Sequence, residues 1–165
     1  MLALLSLAAA AACPCRQIQD IVIVFDASDK NPLSVDTSVN TALTALVGKL
    51  SCPDSATQIA LVAFAGSPSE CMPYDDCTTV LTGLTSVESS LTNAIAGRGA
   101  SGGKRCTSCG IETALQILKG GRAAAGATVL LLTNGAQTVG GAIDKAVNKS
   151  TDLLVSAPAP NPAHP

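Results

Sequence analysis

The sequence predicts an α/β fold with a central, mostly parallel sheet and one antiparallel edge strand. Two segments are short for helices and typical of strands buried on both faces: the unbroken apolar run Ile21 to Phe25, and Ala127 to Thr133, which has only Val and Leu in its middle. Segments with helical spacing of apolar residues lie between them. With 165 residues and an apolar fraction of 47%, the chain is long enough for one domain with a substantial core.

The first predicted strand is followed by a turn and a helix. Asn31-Pro32 marks the turn, and Ser34 or Asp36 is the predicted N-cap. Apolar residues then recur at helical spacing up to Cys52-Pro53, at Val39, Leu43, Leu46, Val47 and Leu50.

Two further strands are expected to form a hairpin. Gln58 to Ala65 has the pattern of a buried strand, and Thr79 to Leu84 that of a third. Their connection is rich in Pro, Ser and Asp and contains Cys71 and Cys77. The third strand should therefore run antiparallel at the sheet edge.

The second half of the chain alternates helices with strands. Ser86 to Ser89 is interpreted as a capping box that opens a helix ending near Ala96. After a loop from Gly99 to Cys109, a helix closed by Gly120-Gly121 buries Ile111, Ala114, Leu115 and Leu118. The strand 127–133 follows, and a weak helix at 142–148 and a short strand at 152–155 complete the predicted elements.

The N-terminal segment and the cysteine content predict an exported protein. Residues 1–12 are apolar and small and precede Cys13, as in a signal peptide, although a Lys or Arg near the start is missing. Seven cysteines in so short a chain indicate an oxidising compartment, and Asn148 begins an N-glycosylation sequon. The Pro-rich residues 157–165 are interpreted as a tail or linker.

Composition argues against several functions. The single His164 lies in the tail, so a Ser-His-Asp or Cys-His catalytic group has no base on the folded body. Three aromatic residues and no dense basic patch argue against nucleic acid as a partner. The segment 1–12 is too short to span a membrane.

One motif has the form of a redox site. Cys106-Thr107-Ser108-Cys109 stands at a predicted helix start, where the helix dipole lowers a thiol pKa. In an exported protein the same motif serves more often as a structural disulfide. A thiol-disulfide redox protein that uses Cys106 and Cys109 is therefore kept as an alternative function.

A strand ending in Asp26-Ala27-Ser28, a Thr-containing loop that opens a helix, and a strand ending in Thr133-Asn134-Gly135 together resemble the von Willebrand factor A domain, an adhesion module also found in integrins. The resemblance runs from about Asp20 to Val155. It implies a domain at 13–156 with a doubly wound sheet and helices on both faces. It also implies a secreted, non-enzymatic module that binds an extracellular protein or matrix ligand; a purely structural matrix component shares the fold and stays open.

The ligand-binding face is expected at the carboxyl ends of the strands, where sites form in open α/β sheets. It includes eight residues from three segments: Asp26, Ser28, Asp29, Lys30, Lys104, Arg105, Thr107 and Asn134.

The resemblance implies a magnesium or manganese site in which this chain departs from the family pattern. Asp26 and Ser28 match, but Lys30 replaces an expected hydroxyl residue and Asn134 an expected acid. In the second loop either Arg105 or Thr107 occupies the position of the family's Thr, and the burial pattern favours Arg105. We therefore expect no resident cofactor, or a weak metal site made by Asp26, Ser28 and Thr107.

The implied topology also suggests cysteine pairs. Cys13 or Cys15 is expected near Cys52, and the remaining cysteines are expected to form the local pairs Cys71–Cys77 and Cys106–Cys109. One cysteine is then left over, and an intermolecular disulfide through Cys13 is one outcome.

Overall fold

The computed structural model describes residues 18–28, 37–51, 56–65, 77–98 and 106–133. These ranges contain four strands and three helices. In chain order they are β1 (Gln19–Asp26), α1 (Thr37–Leu50), β2 (Thr57–Phe64), β3 (Thr78–Thr85), α2 (Glu88–Ala96), α3 (Thr107–Lys119) and β4 (Gly126–Leu132).

The strands form one mixed sheet in the order β3-β2-β1-β4. β1 runs parallel to β2 and to β4, whereas β2 and β3 are antiparallel. The predicted central strand, hairpin and antiparallel edge strand are thus confirmed. Because β1 and β2 are in register from Gln19–Thr57 to Asp26–Phe64, they end together. We call this end of the sheet the carboxyl edge.

Side chains of β1 alternate between two cores, one on each face of the sheet. Ile21, Ile23 and Phe25 pack in a cluster with the buried residues of α1 and α2. Val22 and Val24 pack on the opposite face with Ala114 of α3. This alternation follows from the two-residue period of a strand, and it confirms the prediction of helices on both faces.

The amino ends of β1 and β2 are joined to the end of α3 by an ion pair that the sequence analysis missed. The Arg122 side chain forms a salt bridge to the carboxylate of Asp20, with its Nε donating to Oδ1 at 2.8 Å. Its backbone N–H donates to Oδ2 at 2.7 Å. Nη2 donates to the carbonyl oxygens of Gln19 and Ala56, so one side chain ties together three segments of the chain.

One prediction about these elements needs correction. The capping box at Ser86 is wrong: Val87 is the N-cap of α2, without a side-chain cap hydrogen bond. The backbone N–H of Val87 donates a hydrogen bond to Thr85 Oγ1 at 3.1 Å. β4 is the last of the described strands in the sheet, and its predicted central position stays a prediction because the strand predicted at 152–155 lies outside the described residues.

Other predicted features lie outside the described residues. They are the caps Ser34 and Asp36, the helix at 142–148, the strand at 152–155, the sequon at Asn148 and the two chain ends. Within the described ranges, no helix combines the length and apolar character needed to cross a bilayer.

Candidate functional site

Asp26 is the central acidic group of the carboxyl edge. It is the last residue of β1 and only 3% exposed. Its Oδ1 accepts a hydrogen bond from the backbone N–H of Ser28 at 3.0 Å, a turn geometry that Asp readily stabilises. Its Oδ2 accepts a longer bond from Thr133 Oγ1 at 3.4 Å. The carboxylate is therefore buried and oriented by two donors.

Two buried hydroxyl groups in the same region have no hydrogen-bond partner in the described part of the chain. Ser28 is fully buried two residues after Asp26, and Thr107 is 2% exposed at the start of α3. Among the described residues nothing bonds Ser28 Oγ or Thr107 Oγ1. Because buried polar groups are nearly always satisfied, unpaired hydroxyls of this kind indicate an absent water, ion or ligand group.

Gly110 explains how α3 comes so close to the strands. A Cβ atom at this position would lie 2.7 Å from Val24 Cγ1 and 3.0 Å from Phe64 Cδ1. Only glycine therefore allows the first turn of α3 to rest on the last residues of β1 and β2. This contact holds Thr107, three residues earlier, at the carboxyl edge.

The described donors partly fit an oxygen-ligand cation. Asp26, Ser28 and Thr107 supply one carboxylate and two hydroxyls, the oxygen type that magnesium and manganese prefer. No group of three His, Cys, Asp or Glu side chains able to hold a metal occurs in the described ranges. The arrangement thus has suitable oxygen atoms but only one formal negative charge from these three residues.

Five of the predicted site residues lie outside the described residues: Asp29, Lys30, Lys104, Arg105 and Asn134. The choice between Arg105 and Thr107 in the second loop therefore stays a prediction. Thr133 is a further contributor that was not predicted from the sequence. β1 and β4 pair in parallel up to Phe25 and Leu132, which places the next residues, Asp26 and Thr133, side by side. The signal for Thr133 in the sequence was that it ends a predicted strand, as Asp26 does.

A disulfide bond brackets the start of α3. Cys106 and Cys109 are bonded, with their Cα atoms 5.3 Å apart, which confirms that predicted pair. Both are nearly fully buried and pack against Cys77, which is itself disulfide-bonded. The predicted partner Cys71 lies outside the described residues, as do Cys13, Cys15 and Cys52, so those pairings stay predictions.

Solved structures with the same fold include a mussel byssus protein and a bacterial pilus tip protein. The chain is similar to proximal thread matrix protein 1 from the mussel byssus, with a TM-score of 0.66 and 17% identity over 84% of this chain and 36% of that one. A second structure of the mussel protein, with a zinc-occupied MIDAS motif, aligns at TM-score 0.66 and 24% identity over 83% and 34% of the two chains. MIDAS is the metal-ion-dependent adhesion site of this fold.

A third similar structure is the vWF domain of the type V pili tip protein Mfa5 from Porphyromonas gingivalis. It has a TM-score of 0.58 and 18% identity, over 74% of this chain and 40% of that one. The present chain thus spans well under half of each of these neighbours. At such identities the likeness establishes the fold.

The sequence itself identifies the family. No curated protein sequence matches the chain significantly. The family model of the von Willebrand factor type A domain, however, matches residues 20–156, which is most of the chain. This range includes β1 from its second residue, all of β4 and the carboxyl edge, and it agrees with the resemblance seen in the strand-end motifs. The chain therefore belongs to the von Willebrand factor type A domain family.

Proposed function

We propose that this chain is a secreted, non-enzymatic binding module that recognises an extracellular protein or matrix ligand at its carboxyl edge. The observation that carries the proposal is the buried polar group at that edge, Asp26 with the unpaired hydroxyls of Ser28 and Thr107, in a member of this family. The fold's occurrence in a thread matrix protein and a pilus tip protein supports an adhesive role. The proposal includes the signal peptide 1–12, the domain limits 13–156 and the tail 157–165.

The binding face in this proposal extends from Asp26 to the cationic residues Lys104 and Arg105. Replacing both cations with Ala should weaken ligand capture at least tenfold and leave Tm unchanged. The assay is a pull-down with purified full chain from extracellular extract, followed by affinity measurement with the captured protein.

Lys49 and Lys119 supply the matched control for this experiment. Both stand in the last turn of a helix, at the opposite end of the sheet from the proposed face. The doubly substituted control should bind like the unmodified chain. An equal loss of ligand affinity in the Lys104/Arg105 and Lys49/Lys119 double variants would mean that the ligand is attracted nonspecifically by positive charge. A lowered Tm in the Lys104/Arg105 variant would mean that the loop is a packing element.

We further propose that a divalent cation binds here weakly or not at all. The described donors include only one carboxylate, and Lys30 and Asn134 replace an oxygen ligand and an acid in the family pattern. When bound, a cation would supply a positive centre for an acidic ligand group, with Asp26, Ser28 and Thr107 holding it. Titration calorimetry with magnesium and manganese should show no binding with a Kd below about 1 mM. A micromolar Kd would contradict this.

The alternative is a thiol-disulfide redox protein that uses Cys106 and Cys109. The observation in its favour is their disulfide at the start of α3, where the helix dipole favours a thiolate. Their burial, at 1% and 3% exposure, favours a structural bond. An insulin-reduction assay with a free-thiol count separates the two: the binding module should be inert.

A purely structural matrix role is distinguished by self-assembly of the purified chain without a separate ligand.

A further inference from the structure

Arg98 occupies an unusual position next to the carboxyl edge. It follows the end of α2, and its Nε donates a 2.6 Å hydrogen bond to Asn40 Oδ1 in the first turn of α1. The guanidinium carbon lies 5.2 Å from the centre of the Phe25 ring, one residue before Asp26. A side chain held at both its Nε and its flat face has little rotational freedom left.

The charge of Arg98 is not compensated by these contacts. Asn40 is neutral, and the Phe25 ring supplies only its quadrupole. Both terminal nitrogens, Nη1 and Nη2, are buried and have no hydrogen-bond partner among the described residues, and no described carboxylate pairs with them. Burial accordingly lowers the pKa of Arg98. By contrast, Arg122 at the other end of the sheet is fully paired with Asp20.

An unpaired guanidinium fork has a definite chemical complement. Its two terminal N–H groups match the two oxygens of a carboxylate in a bidentate arrangement. A buried charge without a partner lowers the stability of the fold, so binding of a ligand with the opposite charge is favoured because it removes this free-energy penalty. We propose that Arg98 is the anchor of a subsite for one carboxylate group, beside Asn40 of α1 and the Phe25 ring.

This subsite is separate from the Asp26 group. Phe25 belongs to the core beneath α1 and α2, whereas the helix that holds Thr107 packs on the opposite face. The carboxylate is therefore bound by a protein cation on one face of the sheet, independently of any metal on the other. The inference does not depend on the proposed adhesive function.

Formate, the smallest carboxylate, is the first probe. Added to the full chain at constant ionic strength against sodium chloride, it should raise Tm by about 4 °C at ten times its Kd. Formamide, which has the same shape without the charge, should have no effect. Arg98→Gln should abolish the shift, and Lys49→Gln, which removes an exposed cation on α1, should retain it.

A second measurement needs no variant and so remains decisive if Arg98→Gln fails to fold. In a spectrum of the arginine side-chain N–H groups, formate should shift one guanidinium signal and leave the others in place. N-acetylglutamate amide is then tested in the same way. A shift with both probes means that the subsite admits a partner's acidic side chain, and a shift with formate alone means that it takes a free anion; both support the proposal. Equal effects of formate and chloride, or a Tm shift that persists in Arg98→Gln, would overturn it.

Discussion

At the scale of single residues, the carboxyl edge is defined by polar atoms whose bonding is incomplete. Thr107 and Thr113 make the contrast clear, because both are threonines of α3. The hydroxyl of Thr113 is paired with Thr78 Oγ1 at 2.9 Å, whereas the buried hydroxyl of Thr107 has no partner in the described part of the chain. An unpaired buried hydroxyl costs stability, so its presence at the edge is consistent with a binding role.

This difference predicts opposite effects of the same substitution. In metal-free buffer, Thr107→Val should leave the free energy of unfolding unchanged or raise it by up to about 1 kcal/mol, because it removes an unsatisfied group and keeps the shape. Thr113→Val should lower it by about 1 kcal/mol, because Thr78 loses its partner. Urea denaturation measures both. A loss in Thr107→Val equal to that in Thr113→Val would show that the Thr107 hydroxyl is satisfied in solution.

At the scale of elements, the position of α3 determines whether a site exists at all. Its first turn is held against β1 and β2 by the absence of a side chain at Gly110, and the disulfide Cys106–Cys109 links the N-cap residue to that first turn. At its other end, Arg122 ties the chain to Asp20. Contacts at both ends thus align the helix with β1.

Adding one methyl group at Gly110 should move α3 away from the sheet. Gly110→Ala is expected to lower the free energy of unfolding by about 2 kcal/mol, because overpacking outweighs the better helix propensity of Ala. Gly83→Ala in β3 is the control, since a Cβ atom there meets nothing within 4 Å. It should be neutral or stabilising by about 0.5 kcal/mol. Chemical denaturation with the two variants in parallel tests this, and a neutral Gly110→Ala would contradict the close packing.

At the scale of the whole molecule, disulfides supplement a core that is nearly free of aromatic residues. The chain has two Phe and no Trp, and both Phe side chains, Phe25 and Phe64, are buried at the ends of neighbouring strands. The rest of the core consists mainly of aliphatic side chains. The buried cysteine cluster of Cys77, Cys106 and Cys109 lies where the start of the β3 strand meets α3.

Peptide mapping of the non-reduced protein should show three disulfides. We expect Cys106–Cys109, Cys71–Cys77 and a link from Cys52 to Cys13 or Cys15, with the seventh cysteine free or joined to a second molecule. Thiol labelling before and after denaturation checks the count. A peptide that links Cys52 to Cys106 would contradict the structure, because Cys106 is bonded to Cys109.

The sequence alone was sufficient to predict the sheet, its antiparallel edge and the family, because hydrophobic period and strand-end motifs are local signals. It also predicted that Asp26, Ser28 and Thr107 lie at the carboxyl edge, since each stands at or just after a strand end or at a helix start; their role in binding stays a prediction. It did not reveal that Val87 is the N-cap of α2.

Only the tertiary structure decided the roles of Arg98, Arg122 and Thr133. Their partners Asn40, Asp20 and Asp26 are 58, 102 and 107 positions away along the chain, respectively. No local pattern distinguishes the unpaired Arg98 from the paired Arg122, because the difference depends on which carboxylate the folded chain brings within reach. Pairing across such separations is a property of the packed strands and helices, whereas the elements themselves follow from neighbouring residues.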